Sequence, residues 1–345
     1  MYRLTIICSV LAVSSMAAAQ KPAAFVSSDP AQVDQDFPFQ GEYAGLILPD
    51  TDNRSAAYRK IGVQVVALGS GEFDAVATNF GLPGAGWDQS ERKRLHGVRE
   101  DSVLRLYGDG LIAEIADNHL ILKSERGYTL GQFPRVIRTS PTLGQAPPRN
   151  AIVLFDGSGT DEFQNGRMTE DGLLMEGADF KRTFTDFTLH LEFQLAYMPS
   201  ARGQKRSNSG VYLQSRYEVQ VLDSFGLDEE FNHCGALYRY QPPRVNMCLP
   251  PLQWQTYDIT FRSPRFGSDA SKIQNARLTV CHNGVAVHSC FNVERKTGAG
   301  KPESPDAYPI RLQNHSDPVR YRNIWIVDHA PSMSGSGEIR VGQRQ

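Results

Sequence analysis

The chain has 345 residues, of which 40% are hydrophobic and 21% charged. That balance excludes a disordered polyelectrolyte and leaves room for two modest domains. A formal charge of -2 argues against a nucleic-acid partner, which would need concentrated positive charge. Past the N-terminus no stretch is long and apolar enough to predict a membrane span.

Residues 1–19 read as a signal peptide. Arg3 supplies a positive start, residues 4–13 form an apolar stretch too short for a bilayer, and Ala17-Ala18-Ala19 offers a small-residue cleavage site before Gln20. A secreted or periplasmic product is therefore expected. Residues 20–38 are polar and read as a flexible leader. Residues 39–138 read as a small antiparallel β domain, a meander. Segments 61–67 and 73–78 flank Gly69-Ser70-Gly71, and the later strands are separated by Gly108-Asp109-Gly110 and Asp117-Asn118. The glycine-rich loop 81–87 carries Trp87, which reads as a loop anchor, and lacks the Lys-Ser/Thr ending of a phosphate loop.

Residues 139–150, rich in Pro, Gly and polar side chains, read as the interdomain linker. From 151 to 330 short strands recur with turn residues between them. The expected fold class is thus all-β, a β-sandwich preceded by the smaller β domain. Residues 331–345 read as a polar tail.

With Cys8 in the signal peptide, four cysteines remain: Cys234, Cys248, Cys281 and Cys290. Asn283-Gly284 predicts a two-residue hairpin turn. In that register Cys281 faces Ala286 and Cys290 faces Arg277, roughly 14 Å apart at about 3.4 Å per residue. A disulfide within the hairpin is thereby disfavoured. The preferred pair, among the pairings that stay open, is Cys234 with Cys248. Without a close Cys-x-x-Cys pair a zinc site is disfavoured.

Alternation separates core from surface along each strand. In segment 187–195 the odd positions are apolar, so Thr188, His190, Glu192 and Gln194 share the other face. In segment 218–223, Val219 and Val221 point inward and Glu218 and Gln220 outward, with Asp223 at the strand end. The expectation is one polar sheet face presenting carboxylates, amides and an imidazole, a surface suited to sugar. A half-exposed sheet shows polar residues at alternate positions in any case.

The run Asn208-Ser209-Gly210-Val211-Tyr212-Leu213-Gln214-Ser215-Arg216-Tyr217-Glu218-Val219-Gln220-Val221-Leu222-Asp223-Ser224 closely resembles the core signature of the 3-keto-disaccharide hydrolase family. Leu154-Phe155-Asp156-Gly157, Asp186-Phe187-Thr188-Leu189 with Glu192-Phe193, Gly235-Ala236-Leu237-Tyr238, Trp254-Gln255-Thr256-Tyr257 and His282-Asn283-Gly284-Val285 resemble its further motifs in order. So do Leu312-Gln313-Asn314-His315 and Tyr321-Arg322-Asn323-Ile324. The resemblance covers about half the chain. It implies a concanavalin-like jelly-roll sandwich and a carbohydrate substrate already oxidised at carbon 3.

A 3-ketone acidifies the proton at C2, so a base can remove it and the C1 substituent can leave by elimination, with water adding afterwards. That chemistry needs a base, an acid for the leaving oxygen and a donor for the developing oxyanion. The resemblance points first to Glu218 as acid/base or metal ligand, then to His315, with Asp223 behind them. Glu192, Asn208, Gln220 and Arg322 are the expected substrate contacts. The family's Leu-Gln-Asp-His-Gly appears here as Leu312-Gln313-Asn314-His315-Ser316, without the acid beside the histidine. No cofactor is clearly implied. A divalent cation on oxygen ligands is compatible with the site, and no tight ligand motif marks it. A separate sugar 3-dehydrogenase is the expected upstream partner, because no dinucleotide-binding fingerprint occurs. The alternative to a glycoside-cleaving enzyme is a non-catalytic, lectin-like carbohydrate-binding module or a cell-surface interaction protein.

Overall fold

In the computed structural model, which describes residues 25–47 and 58–329, eight strands follow one another from the first domain's start. They are β1 (Gly41–Ile47), β2 (Arg59–Gly69), β3 (Glu72–Asn79), β4 (Lys93–Glu100), β5 (Val103–Gly108), β6 (Leu111–Ala116), β7 (His119–Ser124) and β8 (Thr129–Val136). The signal peptide and polar tail lie outside the described residues. Tight turns at Asp109-Gly110 and Asp117-Asn118 take positive φ at both residues, the geometry that matches strand twist in two-residue hairpins.

The expected meander closes on itself. Glu42 and Tyr43 pair with Val136 and Arg135, which makes an eight-stranded antiparallel barrel. Closure removes both sheet edges. Its interior is filled by side chains including Tyr43, Val63, Phe73, Leu104, Ile115 and Phe133, as expected at eight strands.

The second domain comprises β9 (Ile152–Phe155), β10 (Phe163–Gln164), β11 (Leu174–Met175), β12 (Asp179–Thr183), β13 (Phe187–Gln194), β14 (Asn208–Leu213) and β15 (Tyr217–Leu222). It continues with β16 (Trp254–Arg262), the small ribbon β17 (Arg265–Phe266) and β18 (Lys272–Gln274), then β19 (Ala276–His282), β20 (Val285–Val293), β21 (Pro309–Leu312) and β22 (Arg320–Asp328). Two sheets form the sandwich. One has five strands in the order β10-β12-β21-β14-β15. The other runs β11-β22-β13-β16-β19-β20, with β9 also beside β22. Alternate apolar residues from both, among them Leu189, Leu191, Phe193, Val211, Val219 and Val221, meet in one core.

This layering corrects the expectation of a single polar face. β13 and β15 belong to different sheets, so the polar faces that carry Glu192 and Glu218 look outward on opposite sides of the core. The hairpin register is corrected in part. Cys281 faces Ala286 as expected, but a bulge shifts the ladder and Arg277 faces Asn292. Cys290 sits in that bulge at φ 44°, its N–H donating to Thr279 Oγ1.

The expected Cys234–Cys248 disulfide is not formed. Both are free, fully packed thiols brought together in the core, and Cys234 Sγ lies 3.2 Å from the Tyr257 hydroxyl. The described part of the leader, residues 25–38, and the linker are also more structured than flexible segments. Ser27 pairs with Tyr197, Asp34 accepts from the Tyr197 hydroxyl, and Asp36 bridges the Gly71 N–H and Arg99. Linker residues Ser140 to Gln145 lie along the outer face of the seven-stranded sheet.

Candidate active site

On the outer face of the five-stranded sheet, alternation along β14 aligns Asn208, Gly210 and Tyr212. The neighbouring β15 aligns Glu218 and Gln220, with Tyr212 directly opposite Glu218. Asn208, Tyr212, Glu218 and Gln220, with Gln204, Tyr238, Ala299, Gln313 and His315 from surrounding segments, line a cavity of about 160 Å³. Glu218 sits at its base and is 2% exposed. Its backbone is pinned from both sides: its N–H donates to Thr297 Oγ1 at 2.7 Å, and its carbonyl accepts from the Tyr238 N–H at 3.1 Å. The carboxylate needs the absence of a side chain beside it, since a Cβ on Gly210 would lie 2.5 Å from Glu218 Oε1.

Burial pushes the Glu218 carboxyl up to about 7, against the opposing pull of the Tyr212 hydroxyl bond and the Arg311 charge. Its Oε2 is buried with no hydrogen-bond partner, an exception among buried polar atoms and one that a substrate group can relieve. The Gln220 amide lies between this carboxylate and the side-chain amides of Gln204 and Asn208. In the orientation that satisfies both its ends, its nitrogen is 3.2 Å from Glu218 Oε1 and 3.0 Å from the Ser209 carbonyl. His315 lines the mouth of the cavity and is exposed. Asn314, in place of the family's acid, turns back to cap the Ser316 N–H at 2.8 Å. The carboxylate on which His315 acts is instead Asp317. Asp317 accepts from the Asn208 N–H at 2.8 Å, and burial raises its pKa against that bond and the His315 charge.

The structure thus brings Glu218, His315, Asn208 and Gln220 together. It places the other expected site residues elsewhere. Asp223 is buried and ion-paired with Arg206 at 2.7 Å, and Arg206 also reaches the Ala67 carbonyl of the barrel at 3.3 Å. Asp223 therefore ties the two domains together and does not line the cavity. Glu192 and Arg322 form a 2.7 Å ion pair on the opposite sheet, beneath the linker. There Glu192 also accepts from the Gly144 N–H at 2.6 Å and from Asn323 at 2.9 Å.

Sequence reading missed Tyr212, Gln204, Tyr238 and Gln313 as cavity residues. Tyr212 was within reach, because period-2 alternation from Asn208 places it on the same face. Gln204 and Tyr238 come from loops whose fold-back no local pattern announces. Among the described residues, no three His, Cys, Asp or Glu side chains gather as a metal-binding group. None of the described helices is long and apolar enough to cross a membrane.

Comparison with known proteins fits this picture of the second domain. No curated protein matches the chain. Crystal structures from Parabacteroides distasonis ATCC 8503, each described as a candidate glycosyl hydrolase, are similar to it. One is 32% identical over 52% of this chain and 84% of its own, with a TM-score of 0.47. A second is 20% identical over 52% of this chain and 98% of its own, with a TM-score of 0.37. The family of 3-keto-alpha-glucoside-1,2-lyase-like domains matches residues 150–327, which span the whole sandwich and more than half of the chain. The chain belongs to the 3-keto-alpha-glucoside-1,2-lyase-like family.

Proposed function

We propose that the protein is an exported enzyme that cleaves 3-keto-glycosides, including 3-keto-disaccharides, by proton transfer next to the C3 ketone, with Glu218 as the group that takes the C2 proton. The observation that carries this reading is a buried carboxylate with a free oxygen and a pKa of about 7 at the base of the cavity. At neutral pH such a group is divided between its two forms, the condition under which it can both accept and return a proton.

Glu218 removes the proton from C2, and the electron pair moves into the C2–C3 bond as the ketone oxygen gains negative charge. The enolate then collapses. A double bond forms between C1 and C2, the C1–oxygen bond breaks, and the leaving oxygen takes a proton. His315 at the cavity mouth is placed to supply it. The amides of Gln220 and Asn208 on the cavity wall would donate to the ketone oxygen in exchange for their present bonds to Ser209 and Gln204. Water adding across C1–C2 would complete a net hydrolysis.

Two neighbouring proposals follow. The N-terminal segment of the sequence supports a secreted or periplasmic location. A separate sugar 3-dehydrogenase would supply the ketone.

The test is incubation of the purified chain with a 3-keto-disaccharide, following both free sugar and the absorbance of the conjugated enone. Turnover that is lost in Glu218→Gln with an unchanged circular dichroism spectrum is the expected result. Saturable binding with no turnover would point to the lectin-like alternative, and full activity of the variant would remove Glu218 from the chemistry.

A further inference from the structure

A second cavity, of about 310 Å³, lies where the barrel meets the sandwich, away from Glu218. The joint around it is preformed. Val66 of β2 packs into the sandwich core, and a Cβ on Gly226 would come within 2.5 Å of Val66 Cγ2. The buried Arg206–Asp223 pair reaches across to the barrel's Ala67 carbonyl. Junctions between domains with apolar walls and few polar groups are where small-molecule sites concentrate.

The floor is apolar, made by buried Val66, Leu95 and Phe225. Leu227 and Tyr107 stand at the rim, 40% and 54% exposed. Such a floor gives sugar hydroxyls nothing to bond and suits a ring or short alkyl chain. Two of the charges around it have carboxylate partners in contact: Arg94 is held by Asp228 at 2.6 Å and Arg206 by Asp223 at 2.7 Å. The Asp74 carboxylate on the wall lies 2.8 Å from His96 Nδ1. Arg202 differs. Its guanidinium donates only to the carbonyls of Pro199, Ala201 and Leu68, and no carboxylate of the described residues forms an ion pair with it. Asp74, on the cavity wall, and Glu72 act on this guanidinium from beyond ion-pair distance, so the site presents one guanidinium with no carboxylate in contact beside an apolar floor. Its complement is one planar anion on an apolar body.

The geometry points to this junction as a binding site for a small amphipathic monocarboxylate, its apolar ring on Val66, Leu95 and Phe225 and its carboxylate on Arg202. The assignment does not depend on the proposed chemistry at Glu218.

Titration calorimetry of the full chain with 2-naphthoate tests it, with 2-naphthalenemethanol as the uncharged match. Saturable binding of the acid, about tenfold tighter than the alcohol, is the expected result. Arg202→Gln should erase that preference, and Leu227→Asp at the exposed rim should weaken binding by a comparable factor through like-charge repulsion. Glu218→Gln should leave it unchanged. The assignment is overturned by absence of saturation at about 10 mM naphthoate, by equal affinity for acid and alcohol, or by an Arg202→Gln protein that still prefers the acid. Loss of binding in Glu218→Gln would place the ligand in the other cavity and overturn it as well.

Discussion

Glu192, on a central strand, and Glu218, on an edge strand, are both almost fully buried at 1% and 2% exposure, and both lie on polar outward faces of the same sandwich. Their surroundings push them in opposite directions. Around Glu192 burial favours the neutral acid, but bonds from His190, Asn323, Arg322 and the Gly144 N–H outweigh it and hold the carboxyl at about 2. Its neighbour His190, for which burial alone would lower the pKa, is raised by Asp258 and Glu192. Around Glu218 burial prevails, and the carboxyl rises to about 7. A carboxylate surrounded by partners serves as a structural ion, whereas one deprived of them has a proton to exchange.

The most severe way to break the comparison is to neutralise each acid in turn. Glu218→Gln should reduce turnover of a 3-keto-disaccharide by about 10²- to 10⁴-fold with little change in melting temperature. Glu192→Gln should keep turnover within an order of magnitude. Comparable losses of turnover in both would dissolve the distinction.

Stability should show the converse. Removing the charge of Glu192 leaves Arg322 without its carboxylate partner, while His190 keeps Asp258 at 2.6 Å, and denaturant unfolding at pH 7 should show a loss of about 3 kcal/mol. An unfolding free energy equal to that of the parent would mean that the linkerward network is dispensable.

The pH dependence of stability should separate the two acids by sign. For Glu192 the folded pKa of about 2 lies below the usual 4.5. Its contribution is therefore present above pH 4.5 and is lost as pH falls toward 2. For Glu218 the folded pKa of about 7 lies above 4.5, so the native state keeps a proton that the unfolded chain has released. Stability should fall as pH rises from 4.5 to 7, by up to ~3 kcal/mol, and Glu218→Gln should flatten that fall. A parent and variant with parallel curves across this window would contradict the raised pKa.

The smallest effect sharpens the comparison. Tyr212→Phe removes the one hydrogen bond that lowers the Glu218 pKa. The acidic limb of the rate profile should move upward by about half a pH unit, worth under 1 kcal/mol. A downward movement would show that the hydroxyl acts on the protonated form.

Much of the fold was legible in the sequence because strand alternation and turn chemistry are local. The Asn283-Gly284 turn, the pairing of Cys281 with Ala286 and the inward Val219 and Val221 all follow from period 2 and positive-φ residues. Barrel closure was not legible, since the pairing of Glu42 with Val136 joins the two ends of the meander. The register beyond the bulge at Cys290 was missed because an extra residue leaves no mark in an otherwise regular pattern. Within the site, Glu218, Gln220 and Asn208 could be read from one contiguous run. Gln204, Tyr238 and Gln313 could not, because loops and a neighbouring strand deliver them.

By itself the sequence determined an all-β chain, a sandwich in its second half and the family to which residues 150–327 belong, since each rests on local periodicity or on ordered motifs. Tertiary structure alone decided which acid is paired and which is not. Alternation marks Glu192 and Glu218 equally as outward and polar. Only the assignment of β13 and β15 to opposite sheets, with the linker and Arg322 over one and a cavity over the other, makes one a fixed charge and the other a group able to exchange a proton. The physical reason is that a pKa depends on the dielectric and the partners within a few ångströms, and those neighbours come from segments far away in the chain.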